Sequence, residues 1–178
     1  DWPEIAPLGD NLLLKVASYI TEPVTTTDEP IPSGETSSYR PNPLGLAEFT
    51  LSRKDPAYVG RAKAVQAEEA ARRAGQGDAA LLAKIRAVPG CEALTWDDVQ
   101  LASTIFAVKP GDGSAREQAA SCQRVLGGAA NFACEYATKR YRSNCINWGM
   151  LPFLVENPGA LDNGDYVYLP GVRKALLE

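Results

Sequence analysis

The sequence predicts an α/β domain built around a parallel sheet. The chain has 178 residues, of which 45% are hydrophobic, and this is enough for one domain with its own core. The run "VQLASTIFAVK" (99–109) has the composition of a strand that is buried on both faces. A helical run, "REQAASCQRVLGG", and a second apolar run, "AANFACEY", follow it. Alternation of strand and helix over residues 99–145 favours βαβ units.

The first elements differ sharply in composition. "NLLLKVASYI" (11–20) predicts a strand, because it is apolar and ends in residues that favour β structure. Residues 21–47 are rich in Thr, Ser, Pro and Gly, which disfavours a propagating helix or strand. An irregular run of this length inside a compact domain is usually functional or disordered.

Two helices are predicted next. Asp55 is the expected N-cap of the first, with Pro56 at its first helical position and Gly75 at its end. The second covers residues 77–88, with Asp78 near its start. Four charged residues of the first helix are expected to pair at i,i+4 spacing on a solvated face: Glu68, Glu69, Arg72 and Arg73.

Four further elements complete the prediction. "REQAASCQRVLGG" predicts a helix closed by Gly127 and Gly128. "ATKRYRSNCINWG" predicts a short helix and a turn that ends at Gly149, and "MLPFLVE" and "DYVYLPG" predict later strands.

Composition excludes several classes of function. A net charge of −4 and a pI near 5.0 argue against a nucleic-acid or membrane-surface role. No apolar run is long enough to span a bilayer, and no signal-peptide pattern is present. We expect a cytoplasmic protein, whose first residue, Asp1, suggests a cut from a longer chain.

The cysteines and the missing histidines limit the chemistry. No pair among Cys91, Cys122, Cys134 and Cys145 has C-x-x-C spacing, so buried reduced thiols are expected and no metal site is predicted. The chain has no histidine, which excludes Ser-His-Asp and Cys-His catalysis within it.

The segment "PGDGSAREQAAS" (110–121) has two interpretations. Ser114 and Glu117 form the S-x-x-E pattern of a capping box, so Ser114 could simply cap a helix. Alternatively, Gly111 and Gly113 permit close backbone approach, and a helix N-terminus beside Arg116 suits a bound carboxylate or phosphate. A serine held there could have its alkoxide stabilised.

Four segments, in order, resemble the aconitase family. "GSAREQAAS" resembles the family's G-S-S-R-E-H-A-A segment, and "YRSNCINWGMLPF" is similar to the stretch that follows it. "TTTDEPIPSG" resembles T-T-D-H-I-x-x-A-G, and "YRPNPLGLAEFTL" resembles a Y-R-S-N-I-P segment. The matches run from about Thr25 to Phe153 and correspond to the family's C-terminal swivel domain.

The resemblance implies a swivelling β/β/α fold over the whole of residues 1–178, as one domain of a larger hydratase or as a small subunit. In the family, other domains carry a [4Fe–4S] cluster and acid–base His and Asp residues. The implied partners are those cluster-bearing domains or a large subunit, and a hydroxy di- or tricarboxylate substrate. We expect the isolated chain to be inactive and to bind no cofactor.

The resemblance also implies roles for individual residues. Ser114 corresponds to the family's catalytic base, which removes the proton α to a substrate carboxylate. Arg116 would bind one carboxylate and Arg40 a second, while Gly113 and Ala115 would line the substrate site.

The chain departs from the family pattern at three positions. Ala115 stands where the motif has its second serine, Gln118 replaces its histidine, and Glu29 replaces the histidine of T-T-D-H. Retention of Ser114, Arg116 and Arg40 favours an enzyme, whereas these replacements keep open an impaired scaffold with a binding or regulatory role. An unrelated α/β domain would require four ordered matches to be accidental.

Overall fold

The computed structural model describes residues 7–27, 29–31, 37–39, 41–113 and 115–178. Its strands are β1 (Leu12–Ile20), β2 (Thr25–Thr26), β3 (Gln100–Ala107), β4 (Pro110–Asp112), β5 (Gly128–Ala133), β6 (Leu151–Leu154) and β7 (Tyr166–Leu169). Its α-helices are α1 (Pro43–Ala47), α2 (Tyr58–Arg73), α3 (Ala79–Arg86), α4 (Arg116–Val125), α5 (Lys139–Asn147) and α6 (Val172–Leu177). Short 3₁₀ helices cover Ser37–Tyr39, Trp96–Asp98 and Pro158–Ala160.

The central sheet has the strand order β6–β5–β3–β1–β7. The four strands β1, β3, β5 and β6 are parallel, and β7 is antiparallel to β1 at one edge. Every residue of β3 from Leu101 to Ala107 is buried, as the sequence predicts for a central strand. The predicted α/β class and the parallel sheet are therefore confirmed.

Helices α1, α2 and α4 pack on one face of this sheet. One apolar cluster joins Ala17 and Ile105 of the strands to Tyr58 of α2 and Cys122 of α4. Across the sheet, strand residues such as Phe106 form a second cluster, together with α6 and half-buried side chains of β6 and β7. None of the helices within the described ranges is long and apolar enough to cross a membrane.

The predicted N-cap of α2 is wrong. The capping position is Ala57, which makes no side-chain hydrogen bond, and Pro56 lies in the turn before the helix. The Asp55 carboxylate instead accepts hydrogen bonds from the Ser18 hydroxyl (2.6 Å) and the Arg61 guanidinium. Asp55 therefore joins β1 to α2, a long-range contact that overrides the local cap.

The predicted cap of α3 and the glycines predicted directly after α2 and α4 are confirmed. Asp78 caps α3, because its side chain accepts hydrogen bonds from the N–H groups of Ala80 and Leu81. Gly75 and Gly127 follow α2 and α4 with φ values of +77° and +85°, the left-handed conformation that ends a helix. Gly128, predicted to close α4, is instead the first residue of β5.

The prediction of no regular structure over residues 21–47 is wrong in two places. β2 pairs with β4, and α1 begins directly after Asn42, whose side chain accepts a hydrogen bond from the Gly45 N–H (3.0 Å). Pro43 suits the first turn of a helix, and Leu46 and Ala47 are buried in the core beside α4. Tertiary burial stabilises this short helix in a segment whose composition disfavours it.

Candidate active site

A two-stranded parallel sheet brings two of the family-like segments together. β2 pairs with β4, with Thr25 opposite Pro110 and Thr26 opposite Asp112. Beyond the ladder, the Thr27 N–H donates to the Asp112 carbonyl. The segment around Thr25–Thr27 is thus fixed against the loop that leads into α4.

The two glycines of this loop have conformations that only glycine adopts without strain. Gly111 has φ +102° and Gly113 has φ +105°. A Cβ on Gly111 would lie 2.5 Å from the ring of Tyr141, and one on Gly113 would lie 2.7 Å from the Thr27 hydroxyl. The loop is therefore clamped between α5 and the residue that follows β2.

Tyr141 and Thr138 hold the loop from the α5 side. The Thr138 hydroxyl donates to the Gly111 carbonyl (3.1 Å) and accepts from the Tyr141 N–H (3.1 Å). Burial raises the pKa of the Tyr141 hydroxyl well above its ordinary value, so this group stays neutral. It accepts a hydrogen bond from the Asn131 side-chain amide (3.3 Å).

A buried polar network continues beneath α4. The Gln123 amide donates to the Asn131 side-chain oxygen (2.7 Å) and to the Ala130 carbonyl (3.2 Å). Gln123 and Asn131 are 1% and 3% exposed, so this network links α4 to β5 inside the core. The sequence did not reveal it, because its partners come from separate elements.

The loop ends at the N-terminus of α4. Ala115 occupies the capping position, is buried and makes no side-chain hydrogen bond, and Arg116 is the first helical residue and is partly exposed. Among the described residues, the helix begins with a backbone hydrogen bond from the Ala119 N–H to the Ala115 carbonyl. N–H groups before it have no partner within the helix, which makes this end suited to an anion.

Asn144 of α5 supplies a cap that the sequence did not predict. With its amide oriented to satisfy both atoms, its oxygen accepts a hydrogen bond from the Glu117 N–H (3.0 Å). Its nitrogen donates to the Arg140 carbonyl (3.1 Å). Asn144 therefore has a structural role, as a cap on a neighbouring helix.

The predicted site residues fall into two groups. Gly113, Ala115 and Arg116 lie together at the loop and the start of α4. Ser114 and Arg40 lie outside the described residues, so their predicted roles and the Ser114 capping box stay predictions. Within the described residues no ion pair involves Arg116.

Glu29, which stands where the resembling motif has a histidine, has a structural role. Its carboxylate accepts a hydrogen bond from the Thr26 N–H (2.8 Å) and lies 3.3 Å from the Lys54 amine. Lys54 also pairs with Glu22 at 2.8 Å, and this hydrogen bond is the main cause that raises the pKa of the Lys54 amine. The charge cluster holds the turn after β2 in place.

A cavity of about 160 Å³ lies beside the first turns of α4. Its lining comes from α1, from the outer face of α4 and from the residue after α5: Pro43, Leu46, Glu117, Gln118, Ser121, Cys122, Val125 and Trp148. α1 belongs to the segment that resembles Y-R-S-N-I-P, so a third family-like segment meets α4 here.

The cysteines do not form a site for an iron–sulfur cluster. Burial raises the pKa of the Cys122 thiol to about 12 and that of the Cys145 thiol to about 11, which disfavours the thiolate that a cluster requires. In the described ranges, no three His, Cys, Asp or Glu side chains are grouped as metal ligands would be. All four cysteines are unpaired thiols, and Cys91, Cys122 and Cys145 are buried.

Comparison with known proteins identifies the fold. No protein-family model and no curated protein sequence matches the chain. Among solved structures, the chain is similar to the crystal structure of 3-isopropylmalate dehydratase (leuD) from Methanocaldococcus jannaschii, with a TM-score of 0.51 and 19% sequence identity. The match covers 85% of this chain and 67% of that one. The predicted fold class, an α/β domain of the aconitase swivel type, is confirmed by this likeness.

Proposed function

We propose that this chain is the substrate-binding and base-bearing domain of an aconitase-like hydro-lyase. The parent enzyme would dehydrate and rehydrate a hydroxy di- or tricarboxylic acid. One observation carries the proposal: three segments lie close together around the start of α4. They are the segment of β2, the segment of α1 and the loop that leads into α4. These are the segments that resemble one family, and the solved structure with a similar fold is named a dehydratase.

The geometry of the described residues supports binding of a carboxylate. The α4 N-terminus carries a partial positive charge, and Arg116 adds a permanent cation whose planar fork matches a carboxylate. The glycines let the loop pack tightly against Tyr141 and Thr27, which fixes its position beside this end of the helix. In the proposal, Arg40 binds a second carboxylate of the same acid.

Ser114 is the proposed base. As an alkoxide it takes the proton from the carbon α to a carboxylate, and the C–H electron pair forms the new double bond as the C–O bond to hydroxyl breaks. The hydroxyl leaves with its electron pair and takes a proton from an acid group of the proposed second component to become water; rehydration reverses these steps. The α4 N-terminus and Arg116 would stabilise the serine alkoxide and the charge that develops on the carboxylate.

The proposed parent enzyme has a second component. In the proposal, an iron–sulfur cluster would activate the leaving hydroxyl. The cysteines of this chain are not suited to hold that cluster, so it would be bound by the second component. We propose that cluster-bearing domains, in the same chain or in a large subunit, face the α4 N-terminus when the enzyme is assembled.

Ser114→Ala in the intact, assembled enzyme tests the proposal. Loss of the base should lower kcat by about 10²- to 10⁴-fold with a small change in KM, measured as hydration of a panel of unsaturated di- and tricarboxylates. Ser143→Ala is the matched control, because the Ser143 hydroxyl only bonds the Lys139 carbonyl on its own helix. Its activity should equal that of the unmodified enzyme.

Two outcomes would contradict the proposal. Unchanged activity in Ser114→Ala would make Ser114 a helix cap and remove it from the mechanism. No turnover of any acid by an assembled enzyme with an intact cluster would favour the impaired scaffold, which the replacements at Ala115 and Gln118 keep open.

A further inference from the structure

A small cavity lies in the core next to the β2–β4 pair. It measures about 20 Å³, every residue of its lining is buried, and it shares no lining residue with the larger cavity beside α4. Thr25 of β2 and Pro110 of β4 line it together with apolar side chains of β1, β3 and β5. About 10–15 Å³ is sufficient for one water molecule. The size therefore suits a single water molecule.

The Thr25 hydroxyl is a polar group that needs a partner inside this cavity. Thr25 is 1% exposed, and its hydroxyl has no hydrogen-bond partner among the described residues. Its backbone is fixed, because the Thr25 N–H donates to the Lys109 carbonyl (3.0 Å). A hydroxyl that gives up its bonds to solvent on folding destabilises the protein unless something in the core replaces them.

The lining also contains hydrogen-bonding side chains from three other elements. Gln123 of α4, Asn131 of β5 and Tyr141 of α5 belong to the buried amide network. The Asn131 side-chain oxygen accepts from Gln123, and the Tyr141 oxygen accepts from Asn131. Each of these oxygens has a second lone pair. Since a buried water molecule makes two to four hydrogen bonds, Thr25 and this network together supply enough partners.

We propose that this cavity is the binding site of one ordered water molecule, which accepts a hydrogen bond from the Thr25 hydroxyl and donates to the amide network. The inference does not rest on the proposed hydro-lyase function. It has a consequence for the candidate loop, because Thr27 bonds the Asp112 carbonyl and packs against Gly113. The water joins this loop to the core through β2.

Thr25→Val tests the site through the sign of a stability change in the full 178-residue chain. Valine has nearly the shape of threonine and lacks the hydroxyl. If the hydroxyl bonds a water molecule, the variant loses that bond and the midpoint of urea unfolding should fall. If the hydroxyl has no partner, valine removes an unsatisfied buried group and the midpoint should rise, which would overturn the site.

Thr26→Val is the matched control. Thr26 is the neighbouring residue of β2, is half-buried and lies outside the lining of the cavity. The same chemical change is thus made in the same strand without altering the cavity, and the midpoint should stay close to that of the unmodified chain. A fall of equal size in both variants would assign the effect to the strand and overturn the site.

A crystal structure and hydrogen exchange complete the test. The unmodified chain should show an electron-density peak in the cavity, about 2.7–2.8 Å from the Thr25 Oγ1. This peak keeps the proposal testable if Thr25→Val folds poorly, and a cavity without density would overturn the site. Protection of the Thr27 amide from exchange should fall in Thr25→Val. Density together with unchanged protection in the variant would keep the water site and overturn its link to the loop.

Discussion

Gly111 and Gly113 hold the candidate loop in a shape that no other residue type could keep. Each has a φ value beyond +100°, and each backbone is in close contact with a side chain from another element, Tyr141 or Thr27. The sequence predicted close backbone approach at both glycines. It could not predict what approaches them, because the partners are 30 and 86 residues away along the chain.

Gly111→Ala should therefore destabilise the fold. The new methyl group would meet the Tyr141 ring in a backbone conformation that costs about 1–3 kcal/mol for a non-glycine residue. The midpoint of urea unfolding should fall. Gly60→Ala is the matched control, since Gly60 lies inside α2 with no atom within 4 Å of the added Cβ, and it should stabilise by up to about 1 kcal/mol. Equal midpoints for the two variants would contradict the clamp.

A side chain of α5 helps to fix the N-terminus of α4. The Glu117 N–H is capped by Asn144, which is 27 residues away along the chain, whereas the local position Ala115 offers no side-chain cap. The sequence predicted both helices from their patterns, but an amide that caps a different helix leaves no local signal.

Asn144→Ala should lower stability by about 0.5–2 kcal/mol, the usual cost of losing a helix cap. It should also speed amide hydrogen exchange at Glu117, the group whose acceptor is removed. Asn147→Ala is the control, because Asn147 is an exposed asparagine on the same helix. An unchanged hydrogen-exchange rate at the Glu117 amide would show that the Asn144 side chain does not bond this N–H group.

α2 is joined to the central sheet by Glu69. Burial alone would raise its pKa, but hydrogen bonds from Arg72, from the Leu101 N–H and from Arg73 outweigh burial, so the pKa is lowered from 4.5. The sequence placed Glu69 on a solvated face with i,i+4 pairs. The Arg73 pair has that spacing, but Glu69 is only 13% exposed because it also reaches the first residues of β3.

This lowered pKa gives stability a defined pH dependence. A group with a depressed folded-state pKa stabilises above its unfolded value and loses that contribution as pH falls through the folded value. Glu69→Gln should therefore cost about 1–3 kcal/mol at pH 7, and the cost should shrink as pH falls below 4.5 and through the lowered folded-state pKa, where the unmodified protein loses the same contribution. Urea unfolding at several pH values measures the difference. A cost that does not vary with pH would contradict it.

Across the whole molecule, the elements predicted correctly are those with a local sequence pattern. The alternating strands and helices from β3 to β6 followed from their apolar patterns, because their core contacts recur at fixed spacing. α1 and the β2–β4 pair did not, since each is stabilised by contacts with elements far away in the sequence. The strand, the turn and the helix around the loop before α4 were predicted from local sequence, whereas the cavity beside α4, the buried amide network and the Asn144 cap depend on tertiary packing.

The chain alone should take up no iron–sulfur cluster. Its described cysteines are dispersed, and burial keeps the thiols of Cys122 and Cys145 protonated, so anaerobic incubation with iron and sulfide should leave the protein colourless near 400 nm. The same treatment of the proposed assembly with its cluster-bearing component provides the positive control. Cluster absorbance that remains with the isolated, folded chain after desalting would contradict the prediction.

The pairing of β7 with the start of β1 has a practical consequence. Leu169 lies opposite Leu12, the Gly171 N–H donates to the Asn11 side chain, and Leu8 packs in the same cluster as Val172. Residues 8–12 and 169–172 therefore lie at the edge of the sheet where the parallel strands begin. The nine residues of β1 span about 30 Å, which separates this edge from the loop before α4. A dye or a surface tether attached there would leave the loop accessible, so ligand binding at the loop could be followed on single immobilised molecules.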